Sequence, residues 1–267
     1  MLKTEMRNDA TRHIDRMDTV SILGLINQEN YHAVQAVEAV LDQIARVCDV
    51  VADRFEKGGR LFYIGAGTSG RLGVVDAAEC PPTFGVPRSQ VVGIIAGGER
   101  CMTQAAEAEE DDGQAGVEDL KKHVLNKNDV VIGISSSGGA SYVVEALKYA
   151  NQIGAFSVSL SSNADTPIER VAKIGIVTDT GAEVVTGSTR MKSGTAQKLV
   201  LNMISTCSMI KTGKVYENMM INLKPSNQKL KNRMIGIVCE IKGCDFETAQ
   251  ALLNEHDWNI RKAVEEE

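Results

Sequence analysis

"RLFYIGAGTSGRLGVVDAAECPPTFG", residues Arg60 to Gly85, passes from a strand-like run into glycines. Leu61–Ile64 are four apolar residues with no polar alternation, the pattern of a strand buried on both faces of a parallel sheet. Gly65, Gly67 and Gly70 follow with the spacing G-x-G-x-x-G, which dinucleotide-binding turns share. A dinucleotide site also wants an acid closing the next strand. Here that strand ends in Ala96-Gly97-Gly98, and Glu99 comes late. Thr68 and Ser69 fill the x positions with hydroxyls. A tight turn that needs glycine and nothing else is the plainer alternative.

Working outward, the same kind of run recurs at Val91–Ala96, Val130–Ile134, Phe156–Leu160 and Ile174–Val177. Helical patterns near 70–78, 101–122, 140–152 and 165–172 separate the runs, and a long helix is expected at 190–211. This alternation predicts an α/β fold: a doubly wound parallel-sheet sandwich with right-handed crossovers. Residues 1–30 read as a polar arm with one short helix around Ile22–Ile26. From Tyr31 to Phe55 the spacing of Val37, Leu41, Ile44, Cys48 and Val51 is helical, and Gly58-Gly59 stops it. Beyond Lys224-Pro225 three helical segments form a small unit. The expected division is an N-terminal helical arm (1–56), the sandwich (57–224) and a C-terminal helical unit (225–267).

Composition narrows the function. Of 267 residues, 43% are hydrophobic and only 4% aromatic, and the net charge is −6. A general nucleic-acid or anionic-membrane binder is disfavoured on both counts. A small phosphorylated ligand is not, because local dipoles override global charge. Six cysteines form no C-x-x-C and four histidines are scattered, so no metal site is expected. The cysteines read as reduced thiols of a cytoplasmic protein. No apolar stretch is long enough to span a membrane.

Ligands of open parallel sheets bind beyond the carboxyl ends of the strands. Three polar, Gly-rich stretches fall there: "GAGTSGR", "SSSGGAS" (Ser135–Ser141) and "TGSTRMKSGTAQK" (Thr186–Lys198). Ser135, Ser136, Ser137 and Gly138 alone read as an N-cap cluster. Paired with Gly67, Thr68 and Ser69, they read as a cradle for a phosphomonoester, with hydroxyls and helix N–H groups donating to its oxygens. Ser188, Thr189, Arg190, Lys192 and Lys198 set hydroxyls beside cations. They suit closure over an anion, a subunit contact or pairing with Glu183. Glu79 and Glu110 are the candidate acid–base pair, since elimination beside a carbonyl needs a base for carbon and an acid for the leaving oxygen. The run Glu107, Glu109, Glu110, Asp111, Asp112 has the blander and commoner reading of a solvated helix face.

"GAGTSGRLGVVDAAECPPTFG", "AGGE", "AEAEEDDG", "GAEVVTGSTRMKSGTAQKLVLNMIST" and "MIKTGKVYENMM" together resemble the N-acetylmuramic acid 6-phosphate etherase family, from about residue 10 to 230. That family belongs to the sugar isomerase (SIS) fold group and is related to the glucokinase regulatory protein. The resemblance implies cleavage of a D-lactyl ether by elimination and then hydration, giving N-acetylglucosamine 6-phosphate and D-lactate in cell-wall recycling. It puts the family's two functional glutamates on Glu79, as acid for the ether oxygen, and Glu110, as base at C2. It implies no cofactor, and a homodimer with sites near the subunit interface. It likens the C-terminal region to a ubiquitin-associated helical fold. This chain departs from the family where A-S-G-R-T-P-Y is usual: Gly139-Ala140 replaces the arginine and threonine. The other reading is a non-catalytic sugar-phosphate-binding regulator of the same fold.

Overall fold

The structure, a computed structural model, describes residues 1–105 and 107–265. Five strands make one parallel sheet: β1 (Leu61–Gly65), β2 (Val91–Ile95), β3 (Val130–Ile134), β4 (Phe156–Ser161) and β5 (Ile174–Val177). Their spatial order is β2-β1-β3-β4-β5. In register, Tyr63 of β1 stands between Gly93 and Ile132. These are the expected runs, and burial explains the unbroken apolarity of β1, whereas β4 alternates Phe-Ser-Val-Ser-Leu-Ser with its serines buried. Leu61 and Tyr63 enter the core on one face of the sheet, and Phe62 and Ile64 enter the core on the other.

The first face is covered by α1 (Thr19–Glu38), α2 (Leu41–Glu56), α3 (Gly67–Phe84) and α8 (Lys192–Lys211). The other carries α5 (Gly113–Lys122), α6 (Ser141–Ile153) and α7 (Pro167–Val171). Between β2 and α5 run the single turn α4 (Arg100–Thr103) and a 3-10 turn at Glu107–Asp111. Beyond α8 the chain reaches α9 (Gln228–Lys242), α10 (Phe246–Glu255) and α11 (Ile260–Glu265). These pack a separate core around Met234, Val238, Leu253 and Ile260. Strand order reverses between β1 and β3. The crevice beyond their carboxyl ends is where such a sheet offers a site.

Helix limits differ from the sequence reading in four places. The short helix of the arm is instead the 20-residue α1, started where the Asp18 carboxylate accepts the N–H groups of Val20 and Ser21. The helix expected over 31–55 is broken at Ala39-Val40, where the Val40 N–H turns back to the Val37 carbonyl. No glycine or proline marks that break. The helix expected over 101–122 is three short pieces. The helix expected to end near 78 continues through Pro81-Pro82 to Phe84. Burial of Ala77, Cys80 and Phe84 holds its last turn, and left-handed Gly85 closes it with an N–H to the Pro81 carbonyl at 2.9 Å. That extension puts Glu79 inside a helix.

The glycines of the opening stretch are required by contact. A Cβ on Gly70 would lie 2.5 Å from the Gly65 carbonyl oxygen and 2.8 Å from Ile95 Cγ1. A Cβ on Gly93 would lie 2.5 Å from Val74 Cα. Hence α3 lies backbone against backbone on the end of β1 and the middle of β2. Gly70→Ala is expected to cost about 2–3 kcal/mol by overpacking. Urea denaturation reads this directly, and an unchanged midpoint would mean the turn has room to spare.

Candidate functional site

A pocket of about 450 Å³ opens at the predicted crevice. The β1–α3 turn gives it Gly67, Thr68, Ser69 and Arg71, and β3 gives Ser135, Ser136 and Ser137. The segment ahead of α8 adds Gly187 to Arg190, and the 3-10 turn adds Glu110. Roomier cavities lie beside α1 (about 630 Å³) and between the sandwich and the C-terminal unit (about 610 Å³). Neither has two hydroxyl-bearing turns beside helix starts.

Two helices begin at the pocket without a side-chain cap. The N-cap positions of α3 and α6 are Ala66 and Ala140, and both residues line the pocket. Of the other helices, α1, α5, α9 and α10 are capped by Asp18, Asp112, Asn227 and Asp245, while α2, α4, α7 and α8 also lack a side chain at the N-cap position that caps them. An uncapped N-terminus keeps its first N–H groups available and carries the positive end of the helix dipole. The serines of Ser135–Ser137 do not cap α6, contrary to the simplest reading of a serine run, because α6 starts only at Ser141. They form the turn before it.

That turn orients its own hydroxyls. Ser135 Oγ accepts the Gly138 N–H at 3.1 Å, and Ser137 Oγ accepts the Gly139 N–H at 3.3 Å. Gly138 itself, at φ +74, makes the bend against Thr166, where a Cβ would lie 2.3 Å from Thr166 Cβ. It shapes the cradle from behind. Arg71 donates to the carbonyls of Met102 and Gln104 at 3.0 and 2.8 Å, tying down the segment that leads to Glu110.

Sequence reasoning missed Glu5, which lines the pocket from the N-terminal arm. The arm is strapped down by bonds across more than 150 positions. Asn163 Nδ2 donates to Thr4 Oγ1 at 3.1 Å, Thr11 Oγ1 donates to the Val184 carbonyl at 2.9 Å, and Lys3 pairs with Asp179. Thr4 is fully buried. Gly187 makes way for the Glu5 carboxylate: a Cβ there would sit 3.3 Å from Glu5 Oε2. The arm shows no apolar period, so nothing in the sequence pairs it with residues 179–191.

The cations of the third stretch separate. Arg190 lines the pocket. Lys192 is buried and pairs its ammonium with Glu29. Burial works to raise the Glu29 carboxyl, but the Lys192 bond and charge hold it below its ordinary value. Only the backbone N–H of Lys192 goes to Glu183, whose buried carboxylate also accepts the Ser193 N–H at 2.9 Å and so caps α8. Burial pushes the Glu183 carboxyl up against those bonds. Lys198 is exposed in the second turn of α8, outside the pocket. Glu79 is exposed three turns down α3, ~18 Å from Gly67 at helical rise. One chain therefore gathers Gly67, Thr68, Ser69, Ser135–Ser137, Ser188, Thr189 and Glu110, and leaves Glu79 and Lys198 apart from them.

Comparison with known proteins adds identity to geometry. A model of the glucokinase regulatory protein N-terminal SIS domain matches residues 43–151, and a general SIS-domain model matches 113–206. The N-acetylmuramic acid 6-phosphate etherase of Clostridium beijerinckii is 50% identical over 263 residues, 98% of this chain and 86% of that one. The same-named protein of Halalkalibacterium halodurans is 47% identical over 292 residues, covering 99% of this chain and 98% of that one. Among solved structures, the phosphoheptose isomerases of Neisseria gonorrhoeae and Francisella tularensis superpose with a TM-score of 0.54 each. Their identities are 19% and 15%, each over 72% of this chain and 98% of theirs, which speaks to the fold alone.

The buried pair makes one prediction. Glu29→Ala leaves the Lys192 ammonium without its partner and is expected to cost about 3–5 kcal/mol in chemical denaturation. A loss under about 1 kcal/mol would mean the ammonium reaches water.

Proposed function

The chain belongs to the N-acetylmuramic acid 6-phosphate etherase family, and from that premise we propose how its site divides the work. It is an enzyme of that type. Its substrate is a hexosamine carrying a phosphate at C6, an acetamido group at C2 and a lactyl ether at C3. The phosphate sits in the cradle of Thr68, Ser69 and Ser135–Ser137, under the open N-termini of α3 and α6. The observation that carries this reading is the pairing of two uncapped helix starts with hydroxyls facing one cavity. A phosphate dianion takes donors only, and that rim supplies them. Where Gly139-Ala140 lacks the usual guanidinium, Arg71 and Arg190 supply the positive charge at the rim.

With the phosphate anchored, the ring extends toward Glu110. In the open-chain aldehyde the C2 proton is acidic, and Glu110 removes it as base. The C3–O bond then breaks and the lactate oxygen takes a proton from Glu79. Water adds across the resulting double bond, placing a hydroxyl on C3 and a proton on C2. The sum is ether plus water to alcohol and D-lactate.

Glu79 of the same chain is too far down α3 to take part, so the acid comes from a second copy. Exposed apolar side chains support such a partner: Val75 lies one turn before Glu79, and Val20, Leu23, Tyr31 and Val34 mark the outer face of α1. Isolated apolar residues are ordinary on a surface, but a stripe of this length wants cover. On this reading the enzyme is a homodimer. It works in the cytoplasm, in keeping with six free cysteines, on sugar recovered from the cell wall. No helix among the described residues is long and apolar enough to cross a membrane.

Glu79→Gln and Glu110→Gln are each expected to abolish D-lactate release with folding intact. Mixed after subunit exchange, the two inactive proteins are expected to recover about a quarter of wild-type turnover. Half the dimers are then hybrids, and each hybrid holds one intact site of two. No recovery from a mixture shown to contain hybrids would put both glutamates on one chain. Turnover retained in both single variants would remove the mechanism.

A further inference from the structure

Gln197 of α8 is fully buried, yet its amide is used at both ends. Its Oε1 accepts the Ser69 hydroxyl at 3.0 Å, and its Nε2 donates to Ser136 Oγ at 2.9 Å. One side chain thus bridges the two hydroxyl turns of the pocket, one from β1 and one from β3. An amide is polar in one direction only, with an acceptor at one end and donors at the other. The two serines are therefore left in different states. Ser69 has spent its proton on Gln197 and offers the pocket only oxygen lone pairs. Ser136 has received a hydrogen bond and keeps its own proton to give. The Ser136 backbone is held too, its carbonyl accepting the Ser162 N–H at 3.0 Å and Asn163 Nδ2 at 2.9 Å.

We propose that Gln197 is a positioning residue that sets the direction of the hydroxyl protons in the cradle, making Ser136 a donor to the bound anion and Ser69 an acceptor. The assignment rests on reading this pocket as the phosphate site. It splits two chemically identical serines by function. The Ser136 proton points at the phosphate dianion, joined by one proton of the Ser135–Ser137 pair, whose hydroxyls lie 3.4 Å apart and whose oxygens each accept a backbone N–H. The Ser69 oxygen instead suits a hydroxyl of the ligand, while the Ser69 backbone N–H serves the phosphate from the first turn of α3.

Inorganic phosphate at pH 8, titrated calorimetrically into the full-length protein, is the probe. Ser136→Ala is expected to weaken phosphate binding about tenfold or more, the size of a charge-assisted hydrogen bond. Ser69→Ala is expected to weaken it less than threefold. In a Gln197→Met background the Ser69 proton is released, and adding Ser69→Ala then costs as much as Ser136→Ala does in the wild type. A purely structural Gln197 would leave the Ser69→Ala effect the same in both backgrounds, and that result overturns the proposal. So does a larger loss at Ser69 than at Ser136. If Ser69→Ala does not fold, the gentler pair Ser69→Cys and Ser136→Cys is read the same way. Absence of phosphate binding by the wild type, with lactate release intact, would remove the cradle itself. Binding with equal losses in the two serine variants removes only the role of Gln197.

Discussion

The contact between the first turn of α3 and the end of β1 governs everything at this site. Gly65 and Gly70 meet backbone to backbone, closer than any side chain allows. That approach aims the free N–H groups of α3 at the space beyond the sheet. It also fixes where Ser69 stands and so where α8 must run for Gln197 to reach it. Farther down, the buried Asp76 carboxylate of α3 binds the sheet and α8 together. It accepts the Tyr63 hydroxyl at 2.9 Å, Asn202 Nδ2 at 2.6 Å and the Ser205 hydroxyl at 3.1 Å. Between the glycine contact and the Asp76 node, α3 has little freedom to tilt, and preorganised donors depend on that.

An anion site in a chain of net charge −6 looks contradictory until the scale is considered. A phosphate in the proposed cradle would meet oriented N–H groups and hydroxyl protons within hydrogen-bonding distance, while the overall charge is spread over a surface and screened by salt. The same division explains why Lys192 is not a ligand residue although it opens α8 among hydroxyls. Its ammonium is spent on Glu29, its backbone on Glu183, and both bonds hold the α8 start in place. Pocket chemistry is left to Arg71, Arg190, Glu5 and Glu110, which lie at the rim. The serines proposed to hold phosphate, Ser69, Ser135 and Ser136, are buried, whereas Glu79 and Glu110, proposed as acid and base, are exposed.

The sheet was legible because β1, β2, β3 and β5 leave runs of apolar residues and glycine that no surface helix carries, although β4 alternates Phe-Ser-Val-Ser-Leu-Ser with its serines buried. Ser135–Ser137 and Thr68-Ser69 were legible as neighbours at one sheet rim because both stretches follow strand ends, and they do line one pocket. The directions of those hydroxyls were not, since Ser136 is oriented by a residue 61 positions away. The break at Ala39-Val40 left no trace either, because tertiary packing rather than a helix breaker imposes it. Pro81-Pro82 misled in the other direction. Proline near a helix end costs little when the turn is already closed by burial and a left-handed glycine. Glu5 was invisible for want of a local pattern. Lys198 was placed in the site on composition alone, without knowledge of which face of α8 it occupies.

The most direct test is a crystal structure of the Glu110→Gln protein with N-acetylglucosamine 6-phosphate. Phosphate oxygens are expected within about 2.6–3.2 Å of the Ser135–Ser137 hydroxyls and the first N–H groups of α3. The sugar ring is expected to reach toward residue 110, with the Glu79 side chain of a second copy on its other side. A phosphate seated in the cavity beside α1 or in the one near Trp258, or a ring turned away from residue 110, would contradict the proposed site.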